Sequence, residues 1–170
     1  MNIEIERRFL LKTIDEIELG TLCNYDIKTI IQFYHLVNGQ TVRYRQVSPN
    51  YGEKKYYQTI KKKIDTFTFE EDEKEISFLE FTKSIASQTE NQKVIVKRRF
   101  NYYDEKQNLK FEVDVYSNLN LIILEVELPT KETKFEIPKI ISDNIIIEVT
   151  GISQFSNAEL SIETAGRGFF

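Results

Sequence analysis

The sequence predicts an α+β protein that is mainly β: an antiparallel barrel, closed or nearly closed, with a charged lumen and a few helices packed outside. Three observations predict it. Apolar and polar residues alternate with a period of two in nine segments, β-branched and aromatic residues are plentiful, and most polar half-segments are tight pairs of like charge. A strand sends alternate residues to opposite faces, so each such segment has one charged and one apolar face.

The elements follow in order. The first strand, 2–10, carries Glu4, Glu6 and Arg8 on one face, with Ile3, Ile5 and Phe9 opposite. "TIDEIEL" (13–19) predicts a short helix. Strands follow at 30–37 and 40–48, the second pairing Arg43 with Arg45 against Val42 and Tyr44. "SPNYGEKK" is a loop by its Pro, Asn and Gly. The strand at 56–63 sets Thr59, Lys61 and Lys63 against Ile60, and that at 66–77 puts Glu73 and Glu75 together. A helix is predicted over 77–88, because Ser77 and Glu80 have capping-box spacing and Phe78, Phe81, Thr82 and Ile85 share a face. The strand at 93–103 sets Lys97 and Arg99 against Val94, Val96 and Phe100, and "EKQN" (105–108) is a hairpin turn. At 109–116 Glu112 and Asp114 oppose Phe111, Val113 and Val115, and at 121–128 Glu125 and Glu127 oppose Leu124, Val126 and Leu128. A longer connection with Pro at both ends leads to a strand at 145–149. "TGISQFSNAELS" (150–161) holds one or two helical turns. Residues 1–170 read as a single domain, with 161–170 a loosely ordered tail.

Composition narrows the function classes. Of 170 residues, 41% are hydrophobic and 29% charged, and the net charge is only −4. Nothing there favours nucleic acid or a membrane, and no apolar stretch reaches spanning length. The N-terminus lacks the order of a signal peptide, so the cytoplasm is the default compartment. One cysteine, Cys23, excludes an internal disulfide framework and a Cys-rich zinc site. With His35 the only histidine, any metal is held by carboxylates, which favours Mg²⁺ or Mn²⁺. Cys23 reads as a small buried residue and His35 as a partly exposed strand residue without a catalytic partner.

Any one strand fits a sheet with a wet face, or carboxylates engaged in cross-strand ion pairs. Taken together, three basic and four acidic pairs fit a lumen better. Arg and Lys there would hold a polyanion, and carboxylates beside it would repel that anion unless divalent cations lay between them. The pattern points to metal-dependent phosphate chemistry. Arg7, Lys62 and Arg98 have the wrong parity and belong outside. The tyrosines, Tyr34, Tyr57 and Tyr116 among them, fit strand packing or stacking on a ligand ring.

"EIERRFLL" resembles the ExExK signature of the CYTH, or triphosphate tunnel metalloenzyme, superfamily. The resemblance continues in order through "QFYHL", "VRYR", "TIKKK", "EKEI", "VKRRF", "FEVDVY", "LEVEL" and "IEVTGISQFSNAEL". It implies a closed eight-stranded antiparallel tunnel and hydrolysis of the terminal phosphate of inorganic triphosphate, or of a related triphosphorylated compound, with Mg²⁺ or Mn²⁺. The alternatives are a class IV-type adenylyl cyclase making cyclic AMP, or a non-catalytic polyphosphate or nucleotide-binding module. The resemblance further implies metal ligation by Glu4, Glu6, Glu125 and Glu127, and a triphosphate cradle of Arg8, Arg43, Arg45, Lys61, Lys97 and Arg99. Arg8, Glu112 and Asp114 are its catalytic candidates, the carboxylates as bases orienting water. Glu73, Glu75 and Lys63 are further tunnel positions. The implied partner is a small-molecule triphosphate, and a homodimer is compatible with a chain of this size. Arg8 stands where the signature has Lys, exchanging a point charge for a forked, permanently charged guanidinium.

Overall fold

A computed structural model describes residues 1–88 and 92–162; most of the expected tail, 163–170, lies outside these. The elements are β1 (Asn2–Leu11), α1 (Glu16–Leu22), β2 (Ile27–Val37), β3 (Gln40–Pro49), β4 (Lys55–Lys63), β5 (Thr68–Ile76), α2 (Phe78–Ala86), β6 (Ile95–Asp104), β7 (Leu109–Tyr116), β8 (Ile122–Leu128), α3 (Lys139–Ser142), β9 (Ile145–Glu148), a 3₁₀ turn (Ser153–Phe155) and α4 (Asn157–Leu160). Every strand pairing is antiparallel, in the order β5-β4-β3-β2-β6-β7-β8-β1. The sheet closes because β1 also pairs with β5, from Asn2↔Glu71 to Ile5↔Thr68. Eight strands therefore form a closed barrel. The ninth, β9, lies outside this ring and takes the edge of β1 beyond β5, from Phe9↔Glu148 to Leu11↔Ile145.

Local chemistry sets the element ends. Asp15 accepts from the amides of Ile17 and Glu18 and so starts α1 three residues later than the sequence predicts. Ser77 and Glu80 form the expected capping box of α2, although Phe78 points to solvent and only Phe81 is buried. The β2–β3 hairpin turns on Asn38 (φ 49°) and Gly39 (φ 77°), an Asn-Gly pair suited to positive φ at both positions.

The apolar faces lie under the helices, as the parity requires. Phe9, Leu11, Phe100, Phe111, Val113, Leu124 and Val126 form the largest cluster, covered by Leu19 of α1 and Ile141 of α3. Each fully buried member contributes about 1.5–3 kcal/mol. Phe33 and Ile76 pack with Phe81 of α2, against Tyr44 and Tyr56.

A third cluster lies inside the barrel. Leu10, Ile95, Tyr116 and Ile123 continue the inward-facing rows of Arg8, Lys97, Asp114 and Glu125, and pack with Leu121, Val149 and Leu160. The lumen is thus charged along part of its length and filled with apolar side chains beyond. Among the described residues no helix is long and apolar enough to cross a membrane.

Candidate functional site

The charged part of the lumen is a cavity of about 620 Å³. Its walls carry Glu4, Glu6 and Arg8 from β1, Arg43 and Arg45 from β3, and Lys61 and Lys63 from β4. Glu73 of β5, Arg99 of β6, Glu112 of β7, and Glu125 and Glu127 of β8 complete the predicted set. The period-two rule sends all of them to one side of the sheet.

Three predicted residues are placed differently. Glu75 shares parity with Glu73 but lies where β5 has passed the cavity. It is exposed and pairs with Lys55 at 3.3 Å, so the solvated-face reading holds for it. Lys97 and Asp114 do face the lumen, yet they do not line the cavity. Their side chains are 2% and 1% exposed and meet at 2.6 Å, forming a sealed layer beneath it. Arg7 and Arg98 lie outside, paired with Glu148 and Glu16, and Lys62 is exposed.

Several wall residues escape the pair pattern. Glu71 is one, held by Arg43 at 3.1 Å. Lys28, Tyr34, Lys110 and the Gly151–Glu159 segment are others. Lys28 and Lys110 are lone basic residues on their strands, and the segment has no strand periodicity; the recurring inward parity would have found the first two.

Opposite charges neutralise each other across the cavity. Lys61 Nζ lies 3.2 Å from Glu4 and 3.0 Å from Glu6, with Glu71 at 3.8 Å. Arg8 Nε lies 3.4 Å from Glu125. Arg45 donates to Glu73 at 2.6 Å, and Thr59 donates to the same carboxylate at 2.7 Å. Arg99 grips Asp114 through two N–H groups, at 2.7 and 2.8 Å, and also contacts Glu112. Even so, buried N–H groups of Arg8 (Nε and Nη2), Arg43 (Nε) and Arg45 (Nε) have no hydrogen-bond partner among the described residues. An unpaired buried donor on a charged group is costly, so it points to an acceptor from outside the chain.

The carboxylates are unequal. Burial holds Glu4, Glu6 and Glu127 above the usual range, Glu6 with the help of Glu125, while Lys61 and Arg8 oppose this at Glu6 and Lys61 at Glu4. At Glu125 burial is overcome by Arg99, Arg8 and Lys61, which hold it at about 2. Burial brings Lys97 down to about 8, with Asp114 opposing. Burial raises the Tyr34 hydroxyl, which accepts from Gln32 at 2.9 Å. Cys23 is buried away from the site with its thiol pushed up to about 12, and His35 Nε2 donates to the Ser84 carbonyl at 2.8 Å.

Among the described residues no three His, Cys, Asp or Glu side chains are gathered so as to hold a metal ion by themselves. The donor chemistry nonetheless fits an oxygen-preferring dication. The cavity-facing donors of Glu4, Glu6, Glu125 and Glu127 are all carboxylate oxygens, and the Lys61 ammonium shows that a cation is accommodated between two of them.

No protein-family model matches the chain, and no curated protein matches it in sequence. Solved structures do match. The inorganic triphosphatase NE1496 aligns over 98% of this chain and 99% of its own, with a TM-score of 0.59 at 22% identity. PH1819 from Pyrococcus horikoshii OT3 aligns over 76% and 80%, with a TM-score of 0.54 at 20% identity. HpAC1 from Hippeastrum, a candidate adenylyl cyclase with a dominant triphosphatase activity, aligns over 76% and 81%, with a TM-score of 0.52 at 17% identity. At these identities the likeness establishes a shared fold.

Proposed function

For a chain with the triphosphate-tunnel, or CYTH, fold, we propose divalent-metal-dependent hydrolysis of the terminal phosphate of inorganic triphosphate or a related triphosphorylated compound. The observation that carries this reading is the set of buried guanidinium N–H groups, Arg8 Nη2, Arg43 Nε and Arg45 Nε, that have no hydrogen-bond partner among the described residues and stand on the wall of a cavity also walled by carboxylates. Guanidinium forks suit phosphate oxygens in number and geometry.

In this reading Arg8, Arg43, Arg45, Lys61 and Arg99 hold the phosphate chain and neutralise the charge that develops on transfer. Lys63 assists at the rim, beside the Gly151 carbonyl. Lys97 acts from the sealed layer, fixing Asp114 and through it Arg99. Glu4, Glu6, Glu125 and Glu127 would hold Mg²⁺ or Mn²⁺, which supplies charge neutralisation at the phosphate oxygens. Glu112, between Arg99 and Lys110, faces the cavity and is the base candidate that reaches its wall. Asp114, locked by Lys97 and Arg99, orients the cradle instead.

Phosphate release is measured on tripolyphosphate, ATP and thiamine triphosphate with Mg²⁺ or Mn²⁺, alongside cyclic AMP. Release from tripolyphosphate supports the proposal. Cyclic AMP without phosphate release, or binding with no product from any of the three, overturns it.

A further inference from the structure

Arg8 stands at the rung where the lumen changes from charged to apolar, since the inward residues of β1 run Glu4, Glu6, Arg8, Leu10. It holds the chain that leads into the Gly151–Leu160 segment and the 3₁₀ turn within it. Its amide donates to the Thr150 hydroxyl at 2.9 Å, and its carbonyl accepts from the Val149 amide at 2.8 Å. Its Nη1 donates to the Phe155 carbonyl at 2.6 Å. The same guanidinium sets Nε 3.4 Å from Glu125 and keeps Nη2 buried without a hydrogen-bond partner among the described residues. The gripped segment is itself cavity wall through Ile152, Ser153, Ser156 and Asn157.

We propose that Arg8, beyond its place in the phosphate cradle, couples the phosphate site to the closure of this segment, an inference that rests on the triphosphate reading above. The guanidinium is planar and rigid, so an anion received by Nη2 fixes the plane in which Nη1 meets Phe155. An occupied site therefore holds the 3₁₀ turn and α4 against the barrel, and an empty one loosens them. Closure keeps bulk water from the wall where phosphate is bound. A lysine, with one ammonium at the end of a flexible stem, cannot serve the carbonyl and the anion in two directions at once. The arginine in place of the signature lysine thus adds a mechanical connection to a charge contact.

The test is amide hydrogen exchange, read by mass spectrometry, with calorimetry reporting tripolyphosphate binding in Mg²⁺. In the wild-type protein, saturating tripolyphosphate should slow exchange over 153–162 about tenfold, while α2 stays unchanged. Arg8→Lys should exchange about tenfold faster over 153–162 without ligand and lose the ligand-dependent slowing. Arg98→Lys, on the outer face of β6 and paired with Glu16, should behave as wild type. Binding without slowing in the wild-type protein overturns the coupling alone, and that arm stands if Arg8→Lys does not fold. Slowing that survives in Arg8→Lys also overturns it. Absence of tripolyphosphate binding overturns the functional reading and the coupling with it.

Discussion

Lys97 Nζ and Asp114 Oδ2 meet at 2.6 Å in a layer sealed from solvent, below the cavity and above the apolar end of the lumen. Asp114 is held below the usual carboxylate range because Arg99 and Lys97 outweigh the burial that opposes them. The pair braces Arg99 from beneath the cavity, whose wall it does not reach. Asp114→Asn should cost about 3–5 kcal/mol in urea unfolding, since it strands Lys97 and Arg99. The double variant Lys97→Met/Asp114→Leu should recover the part of that stability due to Lys97, while Arg99 still lacks its partner and phosphate release stays impaired. A double variant no more stable than Asp114→Asn would show that the pair is not the source of the loss.

Acid should unfold the protein through Asp114 and Glu125. Both have folded-state values below their unfolded ones, so their contribution is complete above the ordinary carboxylate range. It is lost as pH falls, for Glu125 between about 4.5 and about 2. Chemical denaturation at a series of pH values should show stability dropping over that window.

Metal binding should fail at higher pH than ordinary carboxylates would cause. Glu4 and Glu6 are raised chiefly by burial, so protons compete with Mg²⁺ from above pH 4.5 downward. Calorimetry across pH should show affinity already falling there, while the fold, by the preceding argument, is intact.

Glu6→Gln should separate stability from turnover. Removing a carboxylate that burial and Glu125 disfavour raises the metal-free melting temperature, whereas phosphate release falls about 100-fold or more through loss of a metal ligand. Wild-type turnover in this variant would remove Glu6 from the metal site.

Gly151→Ala should disturb the capping segment. Gly151 has φ +71°, and an added Cβ would lie 2.6 Å from Thr66 Cγ2 and 3.2 Å from its carbonyl oxygen. The cost is about 1–3 kcal/mol, read as a lowered melting temperature with faster amide exchange over 153–162.

The charged pairs were legible because strand periodicity is indifferent to context: once Glu4 faces inward, so do Glu6 and Arg8. Glu75 shows the limit, since parity carries no information about where along a strand the cavity ends. Lys97 and Asp114 show another, because alternation distinguishes the two faces but not depth within the lumen. The Gly151–Glu159 wall has neither strand period nor a pair of like charges in its sequence, and docking against Arg8, Lys63, Thr66 and Tyr116 helps give it a place.

β1 borders β8 along one edge, and β5 and then β9 along the other. Every lasting partner of this strand is therefore far away in the chain, and none can meet it until β5 at the earliest has been made. During synthesis the segment bearing Glu4, Glu6 and Arg8 waits with both edges unsatisfied while the β2–β5 hairpins assemble by local pairing. Barrel closure is then a late, long-range event, of the kind that slows folding and exposes strand edges to other chains. Variants that weaken the β1–β8 register, such as a proline at Arg7, should appear first as poor soluble yield and only second as lost activity.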